Sequence, residues 1–259
     1  MDYLWLLPAV LCGYIALIGN IVLGQQVLER KIIFIDLAVA QVAALGAALS
    51  QYWFTQFDVF SSSWLGQMLG PWVLSIMFCL LIALLEDHWK QHLEAMIGCL
   101  FAVTASLAML LVSKDPHGGD FLKSILNGQL LWATWSDVVY LGVITALILT
   151  IIAYRPLLMK GRGFYLIFAI LMPVTVKLTG IYLEFALLVI PALFTASLKG
   201  KAALWISLLL GSVGILSGLA ASAVFDLPSG ASIVITLFLS GALFILLTHL
   251  HRQLFWRLF

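Results

Sequence analysis

Residues 164–198 read FYLIFAILMPVTVKLTGIYLEFALLVIPALFTASL, an apolar run whose only charges are Lys177 and Glu184. As one helix it would extend about 52 Å at 1.5 Å per residue, against a bilayer core of about 30 Å. The Thr179–Gly180 step divides it better, because glycine admits a sharp reversal that other residues resist. Two short spans, 164–179 and 180–198, are therefore expected. This reading decides the topology: with the break the chain crosses a membrane nine times, and without it every later loop changes sides.

Working outward, similar apolar segments fall at 3–28, 32–54, 64–85, 93–113, 136–154, 202–225 and 231–250. The chain of 259 residues is 63% hydrophobic and 10% charged, where a soluble domain has roughly 45–50% apolar and about 25% charged residues. So few charges cannot cover a soluble surface, which excludes soluble enzymes, nucleic-acid binders and disulfide-stapled secreted folds. Cys12, Cys79 and Cys99 sit in apolar stretches and read as small buried hydrophobes. The first segment carries Asp2 and no basic residue before it, so it reads as a resident span rather than a cleaved signal. The expected fold is an all-α polytopic integral membrane protein with about eight or nine transmembrane helices, residues 1–259 forming one transmembrane domain.

Charge sorts by side in this topology. With nine crossings and the N-terminus outside, the inner face receives Arg30, Lys31, Lys90, Arg155, Lys160, Arg162, Lys199, Lys201, Arg252 and Arg257, ten of the thirteen basic residues. Lys114 and Lys123 fall outside, and Lys177 lies at the end of a span. Fusing 164–198 into one crossing would put four of the ten outside, against the positive-inside rule. The C-terminus is therefore expected in the cytoplasm. The longest loop, 114–135, contains an amphipathic run, Phe121 to Leu126, expected to lie along the outer membrane surface.

A charge in hydrocarbon costs at least about 2.5–3.5 kcal/mol on insertion scales, so intramembrane charges are functional candidates. Asp36, Lys177 and Glu184 qualify. Asp36 reads either as a pathway carboxylate or as a helix-start acid balanced by Arg30 or Lys31. Glu184 is a hard oxygen ligand or the partner of Lys177 across the turn, and the ion pair is favoured. His88 and His92 have metal-ligand spacing but fall in an inner loop and read as solvated. His117 with Asp120 reads as turn chemistry, as do Asp226, Pro228, Ser229 and Gly230. His249 and His251 read as interfacial anchors. Pro173 and Pro191 should kink their spans. No G-x-x-x-x-G-K-[ST], H-E-x-x-H or G-x-S-x-G motif is present.

Four segments together resemble the transmembrane subunits of metal-ion (zinc/manganese) ABC importers: GQQVLERKIIFIDLAVAQVAALG (24–46), VKLTGIYLEFALLVIPALFTA (176–196), DLPSGASIVI (226–235) and LNGQL (126–130). The resemblance implies a homodimeric permease importing zinc or manganese, ATP being hydrolysed by separate cytoplasmic ABC ATPase subunits. It also implies an extracytoplasmic metal-binding protein that delivers the ion, a bacterial inner-membrane location among lipid, no nucleic acid, and no enzyme activity or bound cofactor on this chain. In the family a histidine follows the acidic residue by four positions. Here Ala40 stands there, and the alignable residue is Gln41, whose amide is a ligand or an interhelical hydrogen-bonding group. Glu184 stands where the matching family segment is usually apolar, and as a hard oxygen ligand it would compensate for the missing histidine, so the expected metal-pathway residues are Glu184 near the outer mouth, Gln41 at mid-depth and Asp36 by the inner exit. ATPase contact is expected at the basic loop 155–163 or at 86–94. The rival expectation is a standalone proton-coupled secondary carrier using the same carboxylates.

Overall fold

The computed structural model describes residues 3–54, 63–89, 91–113, 118–198 and 200–258. Lys90, Lys114, His117 and Lys199 lie outside them. The helices are α1 (Leu7–Arg30), α2 (Ile35–Phe54), α3 (Trp64–Leu85), α4 (Leu93–Val112), α5 (Gly118–Asn127), α6 (Trp135–Tyr154), α7 (Leu157–Lys160), α8 (Gly163–Phe194), α9 (Lys201–Phe225) and α10 (Ser229–Leu258). Their ends follow local chemistry. Pro8 sits in the first turn of α1, Ser63 accepts the Gly66 amide at the start of α3, and Thr134 with Asp137 forms a capping box on α6.

Among the described residues seven helices are long and apolar enough to cross a membrane: α1, α3, α4, α6, α8, α9 and α10; α2 contributes a shorter apolar stretch, Ile35–Ser50. The protein is an all-helical integral membrane protein.

Helix α8 is not straight. Gly180 leaves helical geometry with φ 75° and ψ 165°. The contacts along α1 show what happens there. On the first half of α8, Leu171 packs against Gly19 and Phe164 lies under Arg30, so numbers fall as α1 advances. On the second half, Glu184 meets Asn20 and Leu188 meets Gly24, so numbers rise. The chain therefore reverses at Gly180, as expected from sequence. The halves are about 25 and 21 Å long at 1.5 Å per residue. Each half is shorter than the roughly 30 Å bilayer core.

Pro173 and Pro191 remain within helical backbone; the break is at glycine alone. The reversal is locked by a backbone-to-backbone contact. Gly128, also at positive φ, lies against Thr179 and Gly180, and Gly230 lies against Asn127. The Gln129 amide donates to Leu178 O at 2.9 Å, using a carbonyl the break frees from the helix ladder.

The α8 hairpin is the centre of the bundle. In its most apolar window 78% of residues are buried, against 17% in α4 and in α6, whose apolar faces turn outward. Cys12 and Cys79 are buried as expected, but Cys99 is exposed on that outward face of α4.

Candidate functional site

Three helices converge on two carboxyl groups. Asn20 from α1 donates its Nδ2 to Glu184 Oε1 at 2.8 Å, and Thr179 Oγ1 lies 2.7 Å from Glu184 Oε2. Thr179 Oγ1 also lies 2.8 Å from Thr175 O. One hydroxyl proton serves one acceptor at a time, so Thr179 donates either to Glu184 or back to its own helix. Asn20, Thr179 and Glu184 are 0% exposed.

Asp36, in the first turn of α2, is 1% exposed. Neither of its oxygens has a hydrogen-bond partner, and neither does Asn20 Oδ1. A buried polar atom left unpaired costs about 1–3 kcal/mol, and more when charged. Such unpaired buried atoms are uncommon enough in a native fold to make Asp36 and Asn20 candidates for function.

The expected counter-charges are elsewhere. Lys177 does not pair with Glu184: its Nζ donates to Gln67 Oε1 at 2.9 Å and lies 5.9 Å from the Trp64 ring centroid, at an exposed position. Seven residues apart across a reversal, the two side chains leave opposite sides of the hairpin, Glu184 inward and Lys177 outward. Arg30 does not balance Asp36 either. It reaches Glu86 at 3.2 Å, Met159 O at 3.1 Å and Gly161 O at 2.9 Å, and stacks over Phe164 and Tyr165. Among the described residues neither buried carboxyl group has an ion pair with a basic side chain, so a proton or a bound cation is what would offset its charge.

Gln41 stands off this face. Asp36 and Ala40, four apart, share the side of α2 that meets the hairpin, where Ala40 packs with Val176 and Ile181. Gln41 is rotated about 100° from Ala40 and is half-buried. Asp36 lies one turn before Ala40 on that face of α2, and Glu184 lies one turn past Gly180 on α8. Asn20 and Thr179 escaped the sequence reading. The available signal was an amide at position 20, deep in the apolar part of α1 and apart from Gln25 and Gln26 near its end, a costly placement on its own.

The end of the bundle bearing Arg30 holds a second polar assembly. Arg162 pairs with Asp87, and Glu94 accepts the Phe34 amide at 3.0 Å. The short α7 sits here with Leu157 78% exposed, beside Tyr154 at 84%. His88 and His92 are exposed. Among the described residues no three His, Cys, Asp or Glu side chains gather as a metal-binding group.

Comparisons with known proteins agree on one class. A model of the ABC 3 transport family matches residues 2–249. The "High-affinity zinc uptake system membrane protein ZnuB" of Haemophilus influenzae is 23% identical over 267 residues, covering 93% of this chain and 95% of that protein. A "Probable metal transport system membrane protein" of Chlamydia muridarum is 24% identical over 148 residues, 57% of this chain; the match spans about half of that relative's length, 49%. The fold is similar to that of PsaBC from Streptococcus pneumoniae in complex with Fab, with TM-score 0.68, 21% identity and coverage of 93% of this chain and 91% of that one.

Proposed function

Since the chain belongs to the ABC 3 transport family, we propose that it is the membrane permease of an ATP-driven importer of a divalent metal ion, zinc or manganese. The observation that carries this reading is two buried carboxyl groups, Asp36 on α2 and Glu184 on α8, neither with an ion pair to a basic side chain among the described residues. A divalent cation is the species whose charge matches two such carboxylates. Gln41, half-buried on the next face of α2, is the further polar group an ion meets along the same helix.

In this reading two copies of the chain line the pathway and cytoplasmic ATPase subunits supply the energy. An extracytoplasmic metal-binding protein loads the ion at the end bearing Gly180. The chain lies in the bacterial inner membrane with its Arg30 end, and its C-terminus, in the cytoplasm. That orientation rests on the cluster of Arg30, Lys31, Arg155, Lys160, Arg162 and Lys201 at one end. The ATPase docks on the connection 155–163, where α7 presents Leu157. This connection is short, and Arg30 braces it by capping the Met159 and Gly161 carbonyls. Alternating access then amounts to a rigid shift of α1 and α8 around the carboxylates.

The test is metal uptake in cells expressing the chain with its ATPase and binding protein. Glu184→Gln and Asp36→Asn are expected to lower uptake at least about tenfold at equal expression. Unchanged uptake in both would remove the site assignment. Uptake that persists without any ATPase would favour a proton-coupled carrier instead.

A further inference from the structure

Arg30 is the last residue of α1, and the helix is well formed up to it. Lys31 takes the left-handed conformation, and the amides of Lys31 and Ile32 return to the Leu28 and Val27 carbonyls at 3.2 Å. From this end the Arg30 guanidinium reaches the 155–163 connection. Its Nη2 donates to Met159 O at 3.1 Å and to Gly161 O at 2.9 Å. Its Nη1 donates to Glu86 at 3.2 Å, and its Cζ lies 4.9 Å from the Phe164 ring centroid.

The connection has a second tie, Arg162 to Asp87, of a different kind. Both of those side chains are more than half exposed, at 59% and 55%, where Arg30 is 14% exposed. A solvated ion pair opens easily and holds little. A buried guanidinium bonded to two carbonyls is not released without leaving them unpaired. Of the two ties, Arg30 is the firm one.

About 15 Å further along α1, the same helix is fastened to the second half of α8. Asn20 donates to Glu184 Oε1 at 2.8 Å, and a Cβ on Gly24 would enter the Leu188 carbonyl, so the two backbones touch. A continuous helix fastened in this way is a rigid element that moves together with the segment it touches. A displacement of Met159 and Gly161 is then passed by Arg30 to α1, and by α1 to the segment carrying Glu184. Resting on the reading of 155–163 as the ATPase-docking connection, we propose that Arg30 is the positioning residue that couples ATP hydrolysis to transport, by making α1 follow that connection. The bonds to Met159 and Gly161 carry the movement, and α3, reached through Glu86, lies off this route.

The experiment uses the intact complex of permease, ATPase and binding protein in proteoliposomes, with Zn2+ and Mn2+ supplied in turn. Metal taken up per ATP hydrolysed is measured beside the thermal midpoint of each variant. A merely structural contact moves the midpoint and leaves that ratio alone. Arg30→Ala is expected to lower the ratio at least about tenfold while the bound ATPase goes on hydrolysing ATP. Arg30→Lys keeps the positive charge and guards against an alanine variant that does not fold. With no fork to hold both carbonyls, it should lower the ratio about threefold. Glu86→Gln leaves an oxygen for Nη1 but no ion pair, so it should lower the midpoint and keep the ratio. Lys31→Gln, which removes a neighbouring exposed charge outside the link, should keep both. A wild-type ratio in both Arg30 variants would overturn the proposal. So would a fall in Glu86→Gln as large as in Arg30→Lys. Leu157→Asp, run alongside, separates this proposal from the reading beneath it. Full recovery of the ATPase with that variant would remove the docking reading and the proposal with it. Loss of the ATPase there, with unchanged ratios in the Arg30 variants, would remove the proposal alone.

Discussion

Arg30 and Glu86 fasten the last turn of α1 to the end of α3, with 3.2 Å between guanidinium nitrogen and carboxylate oxygen. The same guanidinium holds two carbonyls of the 155–163 connection and lies flat against the first aromatic residues of α8. Four parts of the chain share this one cation. Both side chains are mostly buried, at 14% and 25% exposure, so the pair is worth more than a surface ion pair. Arg30→Ala is expected to cost about 1–3 kcal/mol by stranding Glu86 and two carbonyls. Arg30→Lys should recover only part of this, since an ammonium lacks the planar fork. Thermal unfolding of the purified variants in detergent checks both; a wild-type midpoint for Arg30→Ala contradicts the bracing role.

The hairpin tip makes a sharper demand. A Cβ on Gly180 or Gly128 would enter the backbone of the opposing segment, and both residues hold positive φ. Gly180→Ala and Gly128→Ala are each expected to destabilise the protein by more than about 2 kcal/mol and to reduce the monodisperse yield in size-exclusion chromatography. Gly98→Ala is the control, because nothing lies within 4 Å of its added Cβ. Equal yields for all three would mean that the tip relaxes without cost.

Thr179 separates hydrogen bonding from bulk. Thr179→Ser retains the hydroxyl that meets Glu184 and should transport metal near the wild-type rate. Thr179→Val keeps the shape, removes the donor, and is expected to cost about 1–2 kcal/mol of stability together with a measurable fall in uptake. If valine and serine variants behave alike, the hydroxyl does not hold Glu184.

The docking surface is tested at α7. Leu157 is largely exposed at the Arg30 end, where its apolar side chain gains by being covered. Leu157→Asp is expected to reduce co-purification of the ATPase at least about tenfold while leaving the permease folded. Full recovery of the ATPase with this variant would move the docking surface elsewhere, and the 86–94 segment becomes the next place to look.

Much of the fold was legible because membrane helices declare themselves by length and apolarity, and a 35-residue run interrupted by Thr179–Gly180 has few ways to fit a bilayer. The reversal at Gly180 was foreseen on that ground. The site was legible only in part. Glu184 and Asp36 stand out as charges, but their neighbours depend on how helices distant in sequence rotate against each other. Proximity along the chain suggested Lys177 as the partner of Glu184. Rotation sends Lys177 to Gln67 and brings Asn20, 164 residues away, in its place. Likewise LNGQL, LTG and LPSG each read as a local turn or motif, while their glycines are neighbours at one point in space.

That meeting of glycines also sets an order of events during synthesis. Gly128 and Gly180 can be threaded into the membrane early, but Gly230 closes their pocket from a segment made some fifty residues later. Until α10 is made, the tip of the hairpin holding Glu184 has its contacts with Gly128 and Gln129 but not the one with Gly230. A chain cut short before residue 229 would lack the glycine that packs against the Asn127 and Thr179 carbonyls, and its hairpin tip would stand open on that side.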